Sequence, residues 1–234
     1  MTVRAVFFDA GDTLFRVRGS VGEVYARVAA QYGVTVAAPE IEPRFRAAFR
    51  SMPPLAFPGA SEAELPAREY AWWRQVVAQV FVRARFADFD AFFAELFEYF
   101  ARAASWELFD DVVPALAALR TRGLRLAIVS NFDGRLPGIC EGLGIARYFD
   151  TIVMSGRAGA AKPDPRVFEV ALARLGATAA EAVHVGDSVR EDVEGARAAG
   201  LRGLLLARDP ALGGQSDMLQ DLSELPRSIC PPER

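Results

Sequence analysis

Two aspartates close the first apolar run of the chain, in the stretch FDAGDTLF. Asp9 ends the run VRAVFFD, and Asp12 follows three positions later, directly after Gly11. A carboxylate at the end of a buried strand can act as a nucleophile, and a second carboxylate nearby can serve as a general acid and base. In an extended segment, side chains three residues apart do not face the same way, so Asp12 joins Asp9 only if a turn redirects it.

One cation stands out against a strong bias in composition. Of the 27 Lys and Arg residues only Lys162 is a lysine, and Asn131 and His184 are also the sole residues of their types. A GC-rich genome or a thermophilic host would produce such a bias. Because Lys162 remains a lysine in a chain that otherwise uses arginine, we interpret it as a candidate site residue. His184 lies inside the apolar run AVHVGD and is expected to be a hydrogen-bonded core residue.

The second half of the chain alternates between helical and strand patterns. From Asp111 onward, helices are predicted in VVPALAALRTRG, GRLPGICEGLG, DPRVFEVALARLG and REDVEGARAAG, and strands in LRLAIVS, DTIVMS, AVHVGD and LRGLLLA. This alternation predicts an α/β fold with a doubly wound parallel sheet. Ligands bind at the carboxyl ends of such strands, so we expect Asp9, Ser130, Ser155 and Asp187 to share one crevice.

A helical insertion separates the first strand from the alternating part. The stretch from about Phe15 to Ser105 is helical in pattern, with Ser20 as cap of the first helix and Gly33 at its end. Four helices are predicted, in SVGEVYARVAAQYGV, PEIEPRFRAAFRSM, LPAREYAWWRQVVAQVFVRARF and DFDAFFAELFEYFARAA. The predicted organisation is an α/β core of residues 1–15 and 106–234, with residues 16–105 inserted as an all-helical domain.

Composition limits the class of protein. The chain has 234 residues, of which 52% are hydrophobic, and a formal net charge of −3, so neither a nucleic-acid partner nor an anionic membrane is indicated. No apolar window reaches the roughly 18 residues of a membrane span, and the N-terminus lacks a signal-peptide pattern, so we expect a cytoplasmic protein. Cys140 and Cys230 fit neither a disulfide framework nor a zinc site. Nothing in the sequence indicates an oligomeric state.

Four spaced segments carry a family resemblance. DAGDTL, VSNFD, AKPDP and GDSVRED together resemble the four motifs of the haloacid dehalogenase (HAD) superfamily, and the helical insertion matches that superfamily's cap domain. The segments VGEVYARVAAQYG, REYAWWRQVV, TRGLRLAIVSNFDGRL and KPDPRVFEVAL are similar to the type 3 haloacid dehalogenase-like hydrolase domain proteins. The resemblance implies a Rossmann-like core with a cap, and a hydrolase that acts on a small phosphorylated metabolite.

The resemblance also implies a role for each motif. Asp9 corresponds to the aspartate that attacks phosphorus and forms an aspartyl phosphate, and Lys162 to the lysine that pairs with this nucleophile and the phosphoryl group. Mg²⁺ is the implied cofactor. Its ligands would be Asp9, the carbonyl of Gly11 and Asp187, with Asp192 as an inner ligand or a partner just behind.

Other residues are assigned to phosphate binding. Ser130 and Asn131 match the second motif of the family, where a hydroxyl and backbone N–H groups hold phosphoryl oxygens, and Asn131 is a candidate to orient the substrate or Asp9. Arg16 and Arg18, beside the expected hinge, are candidates to contact an anionic substrate, with a solvated linker as the equally weighted alternative.

Two further groups of residues are interpreted as structural. Ser188 and Glu191 form an S-x-x-E pattern, which is typical of a helix capping box. Aromatic residues at helical spacing in the insertion would line a pocket, but packing in a core is the favoured interpretation for these residues, Phe57, Tyr70, Trp72 and Trp73.

The first motif departs from the family pattern at the acid/base position. Family phosphatases carry D-x-D-G-T, whose second aspartate protonates the leaving group and later activates water, but here that position is Gly11 and Asp12 stands next to it. Three functions stay open. The favoured one is a slow or specialised metal-dependent phosphatase in which Asp12, water or the substrate supplies the acid/base. The alternatives are a 2-haloacid dehalogenase-type hydrolase, against which the intact GDS segment argues, and a HAD-fold binding protein without turnover.

Overall fold

A parallel sheet of six strands forms the centre of the computed structural model, which describes residues 2–208 and 217–229. In chain order the strands are β1 (Ala5–Phe8), β2 (Phe15–Val17), β3 (Trp106–Leu108), β4 (Arg125–Ser130), β5 (Thr151–Met154), β6 (Ala182–Gly186), β7 (Arg202–Leu206) and β8 (Met218–Leu219). The sheet has the order β5-β4-β1-β6-β7-β8, while β2 and β3 form a separate antiparallel pair. The predicted doubly wound parallel sheet is confirmed.

Strand β1 lies in the middle of this sheet and is buried on both faces. Val6 and Phe8 belong to one hydrophobic cluster, and Ala5 and Phe7 belong to another. Because alternate side chains of a strand point to opposite faces, a strand covered on both sides must be apolar throughout, as AVFF is.

Helices cover both faces of the sheet and fill the segment between β2 and β3. In chain order they are α1 (Val21–Gln31), α2 (Ala38–Ser51), α3 (Leu65–Val80), α4 (Phe89–Ala101), α5 (Val112–Thr121), α6 (Leu136–Gly142), α7 (Ser155–Ala158), α8 (Pro165–Leu175), α9 (Gly195–Ala198) and α10 (Leu225–Ile229). A π-helical segment, Val189–Glu194, directly precedes α9. Helices α1 to α4 pack around a hydrophobic cluster of their own.

The start and end of α1 follow the sequence signals. The side chain of Ser20 accepts a hydrogen bond from the backbone N–H of Glu23, and the side chain of Glu23 accepts one from the N–H of Ser20, so a full capping box begins the helix. Beyond its last turn, Gly33 has a φ of +79°, which is the left-handed region that glycine adopts without strain.

The structure corrects the prediction for the insertion at two places. The third predicted helix was expected to reach Phe86, but α3 ends at Val80, because the chain turns there and stacks Phe86 on Phe92, with ring centroids 4.3 Å apart. The short strands β2 and β3 were not expected either. Three residues each, they pair across the two ends of the insertion, where Phe15 lies opposite Leu108.

Three smaller points complete the comparison with the sequence. The two-residue strand β8 is too short to give a periodic signal and was not predicted. Cys140 is a buried free thiol, and Cys230 lies outside the described residues. Across residues 2–208 and 217–229, none of the helices has both the length and the hydropathy that a membrane span requires.

Candidate functional site

The predicted crevice lies where β1, β4 and β6 end side by side. Asp9 follows β1, Ser130 ends β4 with 3% of its surface exposed, and Asp187 follows β6. These three residues come together because β1 pairs in parallel with both of the other strands. Ser155 stands apart from them. It follows the edge strand β5, is fully buried, and donates its hydroxyl hydrogen to the backbone carbonyl of Leu55.

Lys162 provides the positive charge of the site. Its Nζ lies 2.6 Å from Oδ1 of Asp9 and 2.5 Å from Oδ1 of Asp192, and the side chain is 1% exposed. Burial by itself disfavours the ammonium ion, but the attraction of Asp192 and Asp9 outweighs it and raises the pKa of Lys162 above its ordinary value. The lysine is therefore a fixed cation that holds the carboxylate of Asp9.

Asp192 holds Lys162 from behind. Its Oδ1 also accepts from Nε2 of His184 at 2.8 Å, and its Oδ2 accepts from the backbone N–H of Ser188 at 2.9 Å. Burial opposes the charge of Asp192, but Lys162 and His184 outweigh burial and lower the pKa of this carboxyl. Gly186 makes room for the arrangement, because a Cβ at that position would collide with the Asp192 carboxyl group.

His184 is the hydrogen-bonded core residue that its strand context predicts. The ring is fully buried, and burial lowers its pKa despite the neighbouring Asp192 carboxylate, so the imidazole is neutral. A carboxylate only accepts hydrogen bonds, so we assign the ring proton to Nε2. Among the described residues, Nδ1 has no hydrogen-bond partner.

Asn131 fastens the Lys162 segment to the end of β4. Its Nδ2 donates to the backbone carbonyl of Lys162 at 3.0 Å, and its Oδ1 accepts from the backbone N–H of Lys162 at 2.8 Å. Nδ2 also lies 3.3 Å from Oε2 of Glu191. The side-chain amide, which the sequence made a candidate to orient the substrate or Asp9, thus brackets the backbone of the site cation.

The predicted capping box at Ser188 and Glu191 is only half correct. The Ser188 hydroxyl accepts from the backbone N–H of Glu191 at 3.2 Å, as expected. The second half of the prediction, a hydrogen bond from the backbone N–H of Ser188 to the Glu191 carboxylate, is wrong. The N–H of Ser188 donates to Asp192 instead, and the Glu191 carboxylate accepts from Asn131. The carboxylate of Glu191 therefore belongs to the site rather than to the helix end.

Three carboxylates gather at the mouth of the crevice. Oxygen atoms of Asp9, Asp187 and Asp192 lie within 4.8 Å of one another. Asp187 reaches solvent, yet the surrounding protein desolvates it, and together with the charges of Asp9, Asp192 and Asp12 this raises its pKa to about 7. The donor set is made of hard oxygens of like charge, which fits Mg²⁺. Since Asp192 already holds Lys162, His184 and a backbone N–H, Asp9 and Asp187 are the members best able to bind a cation.

Asp12 lies in a turn, so the expectation for an extended segment does not apply to it. Its φ is +57°, in the left-handed region, and its N–H donates to the carbonyl of Phe15 at 2.8 Å. Burial, followed by the charge of Asp9, raises the pKa of Asp12, and Arg46 and Arg16 partly offset the rise. The turn keeps the second carboxylate within electrostatic reach of the first.

The arginines near the first motif are divided between surface pairs and the site. Arg16 and Arg18 both bind Glu107, at 2.7 and 3.6 Å, on the solvent-facing side of the β2–β3 pair, and the charge of Arg16 also acts on Asp12. Sequence reasoning missed Arg46, an exposed residue of α2 whose charge acts on Asp12. No local motif marks Arg46, because α2 and the first motif meet only in the folded chain.

Most of the singled-out aromatic residues contribute to the packing of α1 to α4. Trp72 is 6% exposed and its Nε1 donates to the carbonyl of Pro53 at 2.9 Å. Trp73 instead reaches across to the loop after β4, where its Nε1 donates to Oδ2 of the fully buried Asp133 at 2.6 Å. The remaining two, Tyr70 and Phe57, are half-buried against the same cluster. Asp133 was missed by sequence reasoning, although an aspartate that follows an apolar strand is a signal for it.

Replacing Asp192 with Ala is expected to lower the free energy of unfolding by about 3–5 kcal/mol, because Lys162 would stay buried with one counter-charge fewer. The measurement is urea unfolding with a chelator present, so that metal binding does not contribute. Asp90→Ala is the matched control: Asp90 also pairs with a cation, Arg74 at 2.5 Å, but it is 76% exposed, so its loss should cost no more than about 1 kcal/mol. Equal decreases in the free energy of unfolding for the two variants would contradict the role of Asp192 as the buried counter-charge of Lys162.

Comparisons with known proteins identify the family to which the chain is similar. A family model described as haloacid dehalogenase-like hydrolase matches residues 3–200. The chain is 39% identical to haloacid dehalogenase-like hydrolase domain-containing protein 3 of Homo sapiens over 217 residues, which cover 91% of this chain and 85% of the human protein. It is 37% identical to phosphoserine phosphatase of Thermus thermophilus over 114 residues, which cover 47% of this chain and 45% of that protein.

Solved structures with the same architecture include two kinds of hydrolase. A HAD phosphatase from Thermococcus onnurineus superposes with a TM-score of 0.67 at 25% identity and covers 97% of each chain. L-2-haloacid dehalogenase from Xanthobacter autotrophicus superposes with a TM-score of 0.71 over 97% of this chain and 98% of its own. At 20% identity, the second likeness shows the fold alone.

Proposed function

The chain belongs to the haloacid dehalogenase-like hydrolases, and on that premise we propose that it is a Mg²⁺-dependent phosphatase that forms an aspartyl phosphate on Asp9. Its substrate is a small phosphorylated metabolite. The observation that carries the proposal is the Asp9 carboxylate, held 2.6 Å from the ammonium of Lys162 and facing the carboxylate of Asp187. A nucleophile, a fixed cation and a hard cation site are the three parts that attack on a phosphate ester requires.

The nucleophile is held ready for attack. Lys162 binds one oxygen of Asp9 and fixes the position of the carboxylate, and the same ammonium is close enough to offset charge on a phosphoryl group. Ser130, at the end of β4, and the backbone N–H groups that follow it would hold phosphoryl oxygens. Asn131 and Asp192 act through Lys162: Asn131 positions its backbone, and Asp192 positions its ammonium group.

The residues for the metal are Asp9, Asp187 and the backbone carbonyl of Gly11, with Asp192 behind them. Mg²⁺, when bound there, supplies positive charge that offsets the charges of the carboxylates and of the phosphate. The raised pKa of Asp187 is consistent with the assignment, because it reflects burial first and then the like charges of Asp9, Asp192 and Asp12, which a bound cation would offset.

Asp12 takes the acid/base role that Gly11 cannot fill. The turn at Asp12 brings its carboxyl group under the influence of Asp9, and a raised pKa suits a group that must give up and take back a proton. Because Asp12 stands one residue after position 11, its carboxyl group is aligned differently with the leaving group than the carboxyl group of an aspartate at residue 11 would be. Slow turnover of substrates with poor leaving groups follows from this difference.

Residues 16–105 form the cap in this proposal, and residues 1–15 and 106–234 form the catalytic core. The support is the separate hydrophobic cluster of α1 to α4 and the narrow β2–β3 pair through which the chain enters and leaves them. Contacts such as Trp73 to Asp133 hold the cap over the crevice. A hinge at the β2–β3 pair would let substrate in and product out.

The deciding experiment is phosphate release from para-nitrophenyl phosphate and a panel of phosphate esters, with Mg²⁺ and with a chelator. We expect release with Mg²⁺ and a loss of at least about 10²-fold with the chelator. Halide release from a 2-haloacid that the chelator leaves unchanged would establish the dehalogenase alternative instead. If the protein binds Mg²⁺ but binds beryllium fluoride only weakly, and releases neither phosphate nor halide, it is a binding protein with this fold and without turnover.

A further inference from the structure

A cavity of about 80 Å³ lies between the helices α1 to α4 and the loop after β4. Its wall is almost entirely apolar and largely aromatic, with side chains from all four helices, from β2 and β3, and from that loop. Cavities with such walls stay dry and bind apolar groups, whereas water requires polar partners. The cavity is therefore suited to an apolar ligand.

Two of the lining residues, Phe132 and Val17, are near neighbours in the chain of residues of the reaction site. Phe132, one of its lining residues, directly follows Asn131, so their Cα atoms are only ~3.8 Å apart. Val17 also lines it and lies two residues after Phe15, where the turn of the first motif ends. A phosphate ester bound at Asp9 would reach the cavity if its leaving group extended past Phe132 and Val17.

The single charged residue of the wall has its charge satisfied. Arg135 forms an ion pair with Asp133 at 2.6 Å, donates to the carbonyl of Phe97 at 3.1 Å, and stacks 3.9 Å from the centroid of the Phe97 ring. The N–H of Trp73 is likewise taken by Asp133. Hydroxyl groups of a substrate would therefore lose their hydrogen bonds to water without finding these partners free.

From these observations we propose that the substrate is a phosphate monoester of a short apolar alcohol, whose alkyl group fills this cavity. The inference rests on the proposed phosphatase function and adds the class of leaving group. The size follows from the volume, since benzene occupies an engineered cavity of ~150 Å³ and 80 Å³ suits a shorter, narrower group. Water cleaves the ester to the alcohol and inorganic phosphate, so no co-reactant is required.

The first test compares propyl phosphate with glycerol 1-phosphate, which has the same carbon chain and two added hydroxyl groups. We expect kcat/KM to be at least about 10-fold higher for propyl phosphate, because Arg135 and Trp73 are engaged elsewhere and, among the described residues, the wall leaves the Tyr25 hydroxyl as a partner for only one of the two hydroxyls. Equal values, or a preference for glycerol 1-phosphate, would overturn the inference. Phosphate release from both esters at equal rates would leave the phosphatase proposal standing while removing the apolar substrate class.

A second test changes the cavity itself. Val77 lines it and is 2% exposed, so Val77→Leu should shift the preferred chain in a series of ethyl, propyl and butyl phosphate to a shorter member. Val82→Leu, at a position 78% exposed, is the matched control and should leave the series as in the wild type. An unchanged series in the Val77 variant would contradict the assignment of the cavity.

Binding separates the two proposals if no ester turns over. Propylphosphonate is not hydrolysed, and calorimetry with Mg²⁺ should show it binding at least about 10-fold more tightly than 2,3-dihydroxypropylphosphonate. That result without phosphate release would uphold the cavity and reject catalysis. Equal affinity for the two phosphonates would reject the cavity.

Discussion

Asp9→Asn is expected to reduce phosphate release by at least about 10⁴-fold, because the amide cannot attack phosphorus and the loss of a nucleophile removes the reaction path itself. Asparagine has nearly the same shape as aspartate, so its side-chain oxygen can still accept from Lys162, which lies 2.6 Å from Oδ1 of Asp9. The variant should therefore fold like the wild type. Rates are compared for para-nitrophenyl phosphate under single-turnover conditions with Mg²⁺.

Two further observations make this result specific. Asp90→Asn, the same substitution at an exposed position, should leave the rate unchanged. Wild-type protein quenched during turnover should carry a phosphoryl group on the peptide that contains Asp9, and the Asp9→Asn variant should carry none. Residual activity within about 10-fold of the wild type would rule out Asp9 as the nucleophile.

Gly11→Asp is expected to raise the rate on alkyl phosphates by about 10²-fold or more, because general acid catalysis typically contributes 10²–10⁴-fold. Space permits the change, since none of the described atoms outside the chain neighbours lies within 4 Å of a Cβ built on Gly11. The gain should be smaller for para-nitrophenyl phosphate, whose nitrophenolate leaves without being protonated. The measurement is kcat/KM for propyl phosphate and for para-nitrophenyl phosphate in both proteins.

Gly11→Asn is the matched control, because it adds the same bulk without an ionisable carboxyl group. It should give no gain. Asp12→Asn alone should slow propyl phosphate hydrolysis, and the double variant Gly11→Asp with Asp12→Asn should recover the rate, since the acid/base then stands at residue 11. An unchanged rate in Asp12→Asn would show that Asp12 is not the acid/base. A gain with Gly11→Asn, or no recovery in the double variant, would show that an aspartate at residue 11 does not act as one.

The sequence alone determined the sheet and the strand ends that make the site. Short apolar runs such as AVFF, alternating with helical patterns, favour strands buried on both faces, so their order along the chain predicts a parallel sheet with Asp9 and Asp187 at one edge. Lys162 was also identified from the sequence, because a single lysine among many arginines is visible from the composition alone. The strand signals are local, since each depends on residues that are neighbours in the chain, and the lysine signal requires only a count of residue types.

Only the tertiary structure decided how these residues work together. Asp192 lies 30 positions from Lys162, and no pattern in the sequence shows that one carboxylate oxygen would hold both this lysine and His184. The redirection of Asp12 depends on a left-handed turn closed by Phe15, and such a backbone conformation is not required by the residue types. Contacts between distant segments depend on packing free energies that the whole fold contributes, so local sequence patterns cannot determine them.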